Sequence, residues 1–156
     1  MKARILLIAL SLLCTVSAMA GSSIYEKYQD KKDVTIVNIS ETMLQLIPME
    51  QLQGADVASM KDKLKSVLVF TSENKSVSKK IKKDLKKEAK SNNLSNLVSF
   101  TNRDKNVIVY AQNQGETISR IVILVTSQKK GKDVRIIDVK GNFTTDDLNA
   151  IQKFVK

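Results

Sequence analysis

Leu97–Thr101 (LVSFT), Asn106–Gln112 (NVIVYAQ), Thr117–Thr126 (TISRIVILVT) and Asp133–Lys140 (DVRIIDVK) are four successive runs with the length and the Val/Ile/Thr content of strands. Between them stand Asn102-Arg103-Asp104-Lys105, Asn113-Gln114-Gly115-Glu116 and Gln128-Lys129-Lys130-Gly131-Lys132. Polar links this short cannot hold a helical crossover. Consecutive strands should therefore run antiparallel, as a four-strand meander.

Upstream of the meander, the clearest helix opens at Ser76 or Ser78 and runs to about Lys90. Val77, Ile81, Leu85 and Ala89 repeat along it as one narrow apolar stripe. Asn92 and Asn93 suit its end, because Asn tolerates the left-handed conformation. Before it, Ser66–Thr71 (SVLVFT) is apolar at successive positions, as expected of a strand buried on both faces.

Val34–Ile39 (VTIVNI) reads as a further strand, and Ser40 with Glu41 as the cap and first turn of a helix carrying Met43, Leu44, Leu46 and Ile47. That helix is apolar enough to be largely buried and should end or kink at Pro48. Residues 49–63 are less regular, with Asp56 able to cap a short helix containing Val57 and Met60. Downstream of the meander, Thr144 or Thr145 caps a last helix with Asp146 and Asp147 in its first turn and Leu148, Ile151, Phe154 and Val155 inward.

The expected fold is α+β. The order is β-α-β-α, then the four-strand antiparallel meander and a C-terminal helix, with the helices packed on one face of the sheet. The first strand, helix and second strand would form a right-handed unit if those two strands are parallel neighbours.

The first twenty residues have the layout of a secretory signal peptide: basic Lys2 and Arg4, an apolar run from Ile5 to Val16, and small Ala18 and Ala20. The run is shorter than the roughly 20 apolar residues that span a bilayer, and polar Gly21, Ser22 and Ser23 follow it. Cleavage is expected between Ala20 and Gly21, dividing the chain into a signal at residues 1–20 and a single α+β domain at 21–156. The signal carries two basic residues and no acid, so the net charge falls from +10 to +8. The single cysteine, Cys14, leaves with it. A lipid anchor on Cys14 is a second option, although bulky Leu13 stands where lipoprotein signals usually place a small residue.

The chain has no histidine, which removes the commonest general base and metal ligand. Without Cys14 there is no thiol nucleophile and no Cys/His zinc site. Five scattered glycines form neither a phosphate-binding loop nor a dinucleotide fingerprint, so no cofactor is expected. Asp146 and Asp147 are explained by helix capping. A hydrolase using Ser/Lys or carboxylates stays open as an alternative.

One feature points to binding. Lys79, Lys80, Lys82, Lys83, Lys86, Lys87 and Lys90 crowd the central helix against only Asp84 and Glu88. Such a surface attracts phosphates or anionic headgroups with a salt-dependent affinity. A lysine-rich face is more often simply solvated. No aromatic residue interrupts it to stack a base, and nucleic acid is not an expected partner.

Further residues resemble the DUF4252 domain family, found in exported proteins of Bacteroidetes and close relatives. They are Ile24-Tyr25-Glu26-Lys27-Tyr28 with Lys31-Lys32, Val34-Thr35 leading into Val37-Asn38-Ile39-Ser40, Val67–Phe70 before Thr71-Ser72-Glu73, the basic helix, and the ending Val139-Lys140-Gly141-Asn142-Phe143. The resemblance implies a bacterial envelope setting and carries no catalytic residues. The expected function is therefore a non-catalytic interaction module of the periplasm or outer envelope, with an envelope protein or an anionic envelope component as partner. The alternative is a peripheral binder of anionic lipid or lipopolysaccharide through the lysine helix.

Overall fold

The computed structural model describes residues 23–46, 60–127 and 133–148. Six strands form one antiparallel sheet: β1 (Val34–Ser40), β2 (Leu64–Ser72), β3 (Ser95–Thr101), β4 (Lys105–Gln114), β5 (Thr117–Ser127) and β6 (Val134–Phe143). Their spatial order is β1-β2-β6-β5-β4-β3. Among the described residues, two α-helices accompany them, α1 (Glu41–Leu46) and α2 (Lys75–Ser91), with a 3-10 turn at Lys61–Lys63 and further helical residues at 60 and 145–148.

The expected helix-rich α+β arrangement is corrected by this sheet, since strands hold 50% of the described residues and helices 29%. β1 and β2 are not a parallel pair joined by a crossover. They run antiparallel, with Val34 opposite Ser72 and Ser40 opposite Ser66. Nor do the last four strands stand as a sheet of their own, because β6 lies between β5 and β2 and stitches the β1-β2 pair to the rest. Helices on one face cannot suffice either, because apolar clusters lie on both faces.

The physical reason lies in β5 and β2. Side chains alternate across a sheet, so Ile121–Val125 sends Val122 and Leu124 into one cluster and Ile121 and Ile123 into the other. A strand apolar on both sides needs neighbours at both edges and cover on both faces.

On the first face, α2 lays Val77, Ile81, Leu85 and Ala89 over Phe70, Tyr110, Val122, Leu124 and Ile136. Fully burying side chains such as Ile81 and Leu85 contributes about 1.5–3 kcal/mol each, more than helix propensity supplies. Tyr25 and Tyr28 pack on Phe70 from a run of turns held by Tyr28 N–H donating to Tyr25 O and Lys31 N–H to Tyr28 O. On the second face, Met60 and Leu148 join Val107, Val109, Ile121, Ile123 and Phe143.

The helix is capped two residues before Ser76 and four before Ser78. Asn74 is its cap, accepting from Ser76 N–H at 2.9 Å and Val77 N–H at 3.2 Å, and Asn93 at φ 52 leaves it in the left-handed region. Ser40 does cap α1, accepting from Met43 N–H at 3.4 Å. That helix is not largely buried as expected: Leu44 is enclosed, but Met43 is 56% and Leu46 70% exposed. Of the four apolar residues expected to be buried, Leu44 alone among those described is turned inward, and Ile47 lies outside the described residues. The expected kink at Pro48, the short helix after Asp56 and the inward face of Ile151, Phe154 and Val155 lie outside the described residues.

Candidate functional site

The charges of α2 are sorted around its axis. Asp84 and Glu88, four residues apart, share one flank of the buried stripe. Asp84 accepts from Lys27 Nζ at 2.7 Å and from the Tyr28 hydroxyl at 2.6 Å. Those two bonds, Lys27's first, hold its carboxyl below the usual carboxylate range. Glu88 accepts from Arg120 Nη1 at 2.6 Å. Both acids of the helix are thereby spent on the side facing the N-terminal turns and the sheet.

The rest of the exposed helix surface keeps its lysines, of which Lys87 lies nearest the acids and adds to the field on Asp84. Lys79, Lys82, Lys83, Lys86, Lys87 and Lys90 line a groove of about 490 Å³ between α2 and the sheet, floored by Ile108 and Leu124 with Asn106 and Thr126 beside them. Lys82 is half-buried and the other five are exposed. None of these lysines forms an ion pair with a described residue. Six of the seven lysines singled out in the sequence are thus brought together; Lys80, also exposed, is not among the groove's residues. Ala20 and Gly21 lie outside the described residues.

A second polar assembly sits at one end of the same sheet face. Arg120 on β5 reaches Asp138 on β6, Nε to Oδ1 at 3.0 Å and Nη2 to Oδ2 at 2.6 Å, while Tyr25 Oη donates to Asp138 Oδ2 at 2.8 Å. The Asp138 side chain is 3% exposed and that of Arg120 12%. Burial pulls the Arg120 pKa down, but bonds to Asp138 and Glu88 more than offset it and keep the guanidinium charged. Tyr25 is pushed far above the ordinary phenol value by burial first and then by Asp138. Glu88 Oε2 is buried without a hydrogen-bond partner among the described residues.

This cluster borders a cleft of about 630 Å³, whose walls include Glu26, Lys65 and Lys140. The residues were not singled out from the sequence, but they left a signal there. Arg120 alternates with Val122 and Leu124, and Asp138 with Ile136 and Val134, so each charge falls on the inward face of an otherwise apolar strand. Opposite charges on one buried face of neighbouring strands are a pair in waiting.

Asp147, by contrast, is fully used. It accepts from Lys63 Nζ at 2.7 Å, Thr144 N–H at 2.7 Å and the Thr144 hydroxyl at 2.9 Å, closing a capping box before the helical residues 145–148. Among the described residues, no cluster of three or more His, Cys, Asp or Glu side chains could hold a metal. No described helix is long and apolar enough to cross a membrane.

A six-stranded antiparallel sheet, a lysine-flanked helix over one face and a buried Arg–Asp–Glu–Tyr cluster define the domain. The model of a domain of unknown function, DUF4252, matches residues 27–151, and the chain belongs to that family. Neither the curated proteins nor the solved structures yield a match.

Proposed function

We propose that the protein is a non-catalytic binding module of the bacterial cell envelope that holds a phosphate-bearing amphiphile, such as an anionic lipid headgroup, in the groove beside α2. The observation that carries this reading is six lysines around one groove with an apolar floor and no carboxylate among its lining residues. Cations held in no ion pair attract phosphate oxygens, and the Ile108–Leu124 floor offers apolar surface to the first carbons of a chain. Export is supported by the signal-like residues 1–20 and by the setting that the family resemblance implies.

The non-catalytic part of the reading is supported by the buried cluster. Asp138 and Glu88 converge, as a carboxylate pair for hydrolysis would, but they converge on one guanidinium. Arg120 and Tyr25 occupy both Asp138 oxygens, and Glu88 is tied to the same guanidinium through Oε1 with its other oxygen shielded from solvent, which supports a structural role for the pair.

Co-sedimentation with phosphatidylglycerol vesicles and with phosphatidylcholine vesicles tests this reading. Binding should be confined to the anionic vesicles and should fall steeply between about 0.15 M and about 1 M salt, as the screening length shrinks from about 8 Å to about 3 Å. Equal sedimentation with both lipids, or binding indifferent to salt, overturns it.

A further inference from the structure

The cleft of about 630 Å³ at the Arg120 end of the sheet has walls of opposite charge. Glu26, on the N-terminal turns, and Glu88, on α2, supply one side. Lys65 on β2 and Lys140 on β6 supply the other, and Arg120 and Asp138 lie between them. Neither Glu26, Lys65 nor Lys140 forms an ion pair with a described residue.

Two local imbalances lie in this cleft. Glu88 gives one oxygen to Arg120, and its Oε2 is buried with no donor among the described residues. Lys140 stands directly opposite Arg120 in the β5-β6 register, so two cations are cross-strand neighbours, and the acids reach only Arg120. An ammonium group would be attracted by the part-exposed Glu88 carboxylate together with Glu26, and a carboxylate by Lys140 together with Lys65. The cavity has the size of an ordinary small-ligand site, roughly 300–1,000 Å³.

We propose that this cleft is a separate binding site for a zwitterion carrying a primary ammonium and a carboxylate, that is, a free amino acid or short peptide. Its ammonium faces Glu88 and Glu26, and its carboxylate faces Lys140 and Lys65. The site is distinct from the lysine groove, and neither reading depends on the other.

Three probes separate the charges: alanyl-alanine, N-acetyl-alanyl-alanine without the ammonium, and alanyl-alaninamide without the carboxylate. Amide chemical shifts of the protein should move saturably with alanyl-alanine at Asn38, Asn92 and Lys140, and each blocked dipeptide should bind at least tenfold more weakly. Glu88→Gln keeps an oxygen for Arg120 and removes the charge, and Lys140→Ala alters only an exposed side chain. Each should weaken alanyl-alanine at least fivefold, with the remaining spectrum unchanged. Saturable binding that is the same for all three probes, or no saturable shift with alanyl-alanine, overturns the proposal. Should Glu88→Gln perturb the fold, Lys140→Ala decides alone.

Discussion

Arg120 and Asp138 meet side-on across β5 and β6, two hydrogen bonds deep, with the Asp138 carboxylate almost wholly enclosed. Breaking such a pair from one side leaves an uncompensated charge, whereas removing both partners does not. Arg120→Met should therefore lower stability by about 3–5 kcal/mol, read as a lower midpoint in urea. Because Glu88 also depends on Arg120, the triple variant Arg120→Met/Asp138→Leu/Glu88→Gln should recover a large part of that loss and the double variant Arg120→Met/Asp138→Leu a smaller part. If the triple variant is as unstable as the sum of the single ones, the three charges are not coupled.

The three tyrosines of the chain, Tyr25, Tyr28 and Tyr110, all have their phenol pKa raised, by burial first in each case. A folded value above the unfolded value near 10 means the native state holds protons that the unfolded chain has lost. Stability from these groups is complete below pH 10 and is lost as pH rises toward the folded values. Ultraviolet titration should show little tyrosinate at pH 10 and then a single rise coinciding with loss of circular dichroism. A tyrosine titrating at pH 10 in the folded protein would contradict their burial.

Asp147 shows the opposite sign. Burial raises its pKa, but Lys63 and the Thr144 cap outweigh that and hold it below the ordinary carboxylate range. Its contribution is present above the unfolded value near 4 and fades as pH falls through the lower, folded value. Asp147→Asn should cost about 1 kcal/mol at neutral pH, the scale of a lost cap, and should flatten the acid limb of the stability curve. An unchanged acid limb would mean that Asp147 titrates alike in both states.

Gly141 is crowded in β6. A Cβ there would strike the Lys63 carbonyl oxygen and the Phe143 ring. Backbone cannot yield as a flexible side chain can, so Gly141→Ala should destabilise by about 1–3 kcal/mol, measured by thermal or urea unfolding. A neutral effect would mean that β6 and the Lys63 turn separate readily.

Much of the chain's local structure could be read from its sequence, and its assembly could not. The stripe Val77, Ile81, Leu85 and Ala89 is the buried face of α2, because a four-residue repeat in a lysine-rich segment has one way to hide. The run Ile121–Val125, apolar at every position, already required cover on both faces. Placing the helices on one face overlooked that requirement. The insertion of β6 between β2 and β5 is a pairing of distant segments, set by which apolar edges meet once the chain collapses. No local pattern records it.

The site was legible to a similar degree. A count of lysines marks α2 as basic, yet it cannot show that Asp84 and Glu88 are drawn away by Lys27, Tyr28 and Arg120. That division of labour turns a basic helix into one with an uncompensated side. The partners are 57, 56 and 32 residues away in sequence, beyond the reach of helical periodicity.

Two charge-reversed proteins test the lysine groove most directly, because they change net charge equally and differ only in place. Lys82→Glu/Lys86→Glu alters the groove, while Lys75→Glu/Lys80→Glu alters exposed positions of α2 that do not line it. A lysine near an anionic surface contributes about 1 kcal/mol, so the groove pair should weaken binding to phosphatidylglycerol vesicles more than about tenfold, and the other pair less than about threefold. Equal weakening by both would contradict a groove-centred site and leave only diffuse charge attraction.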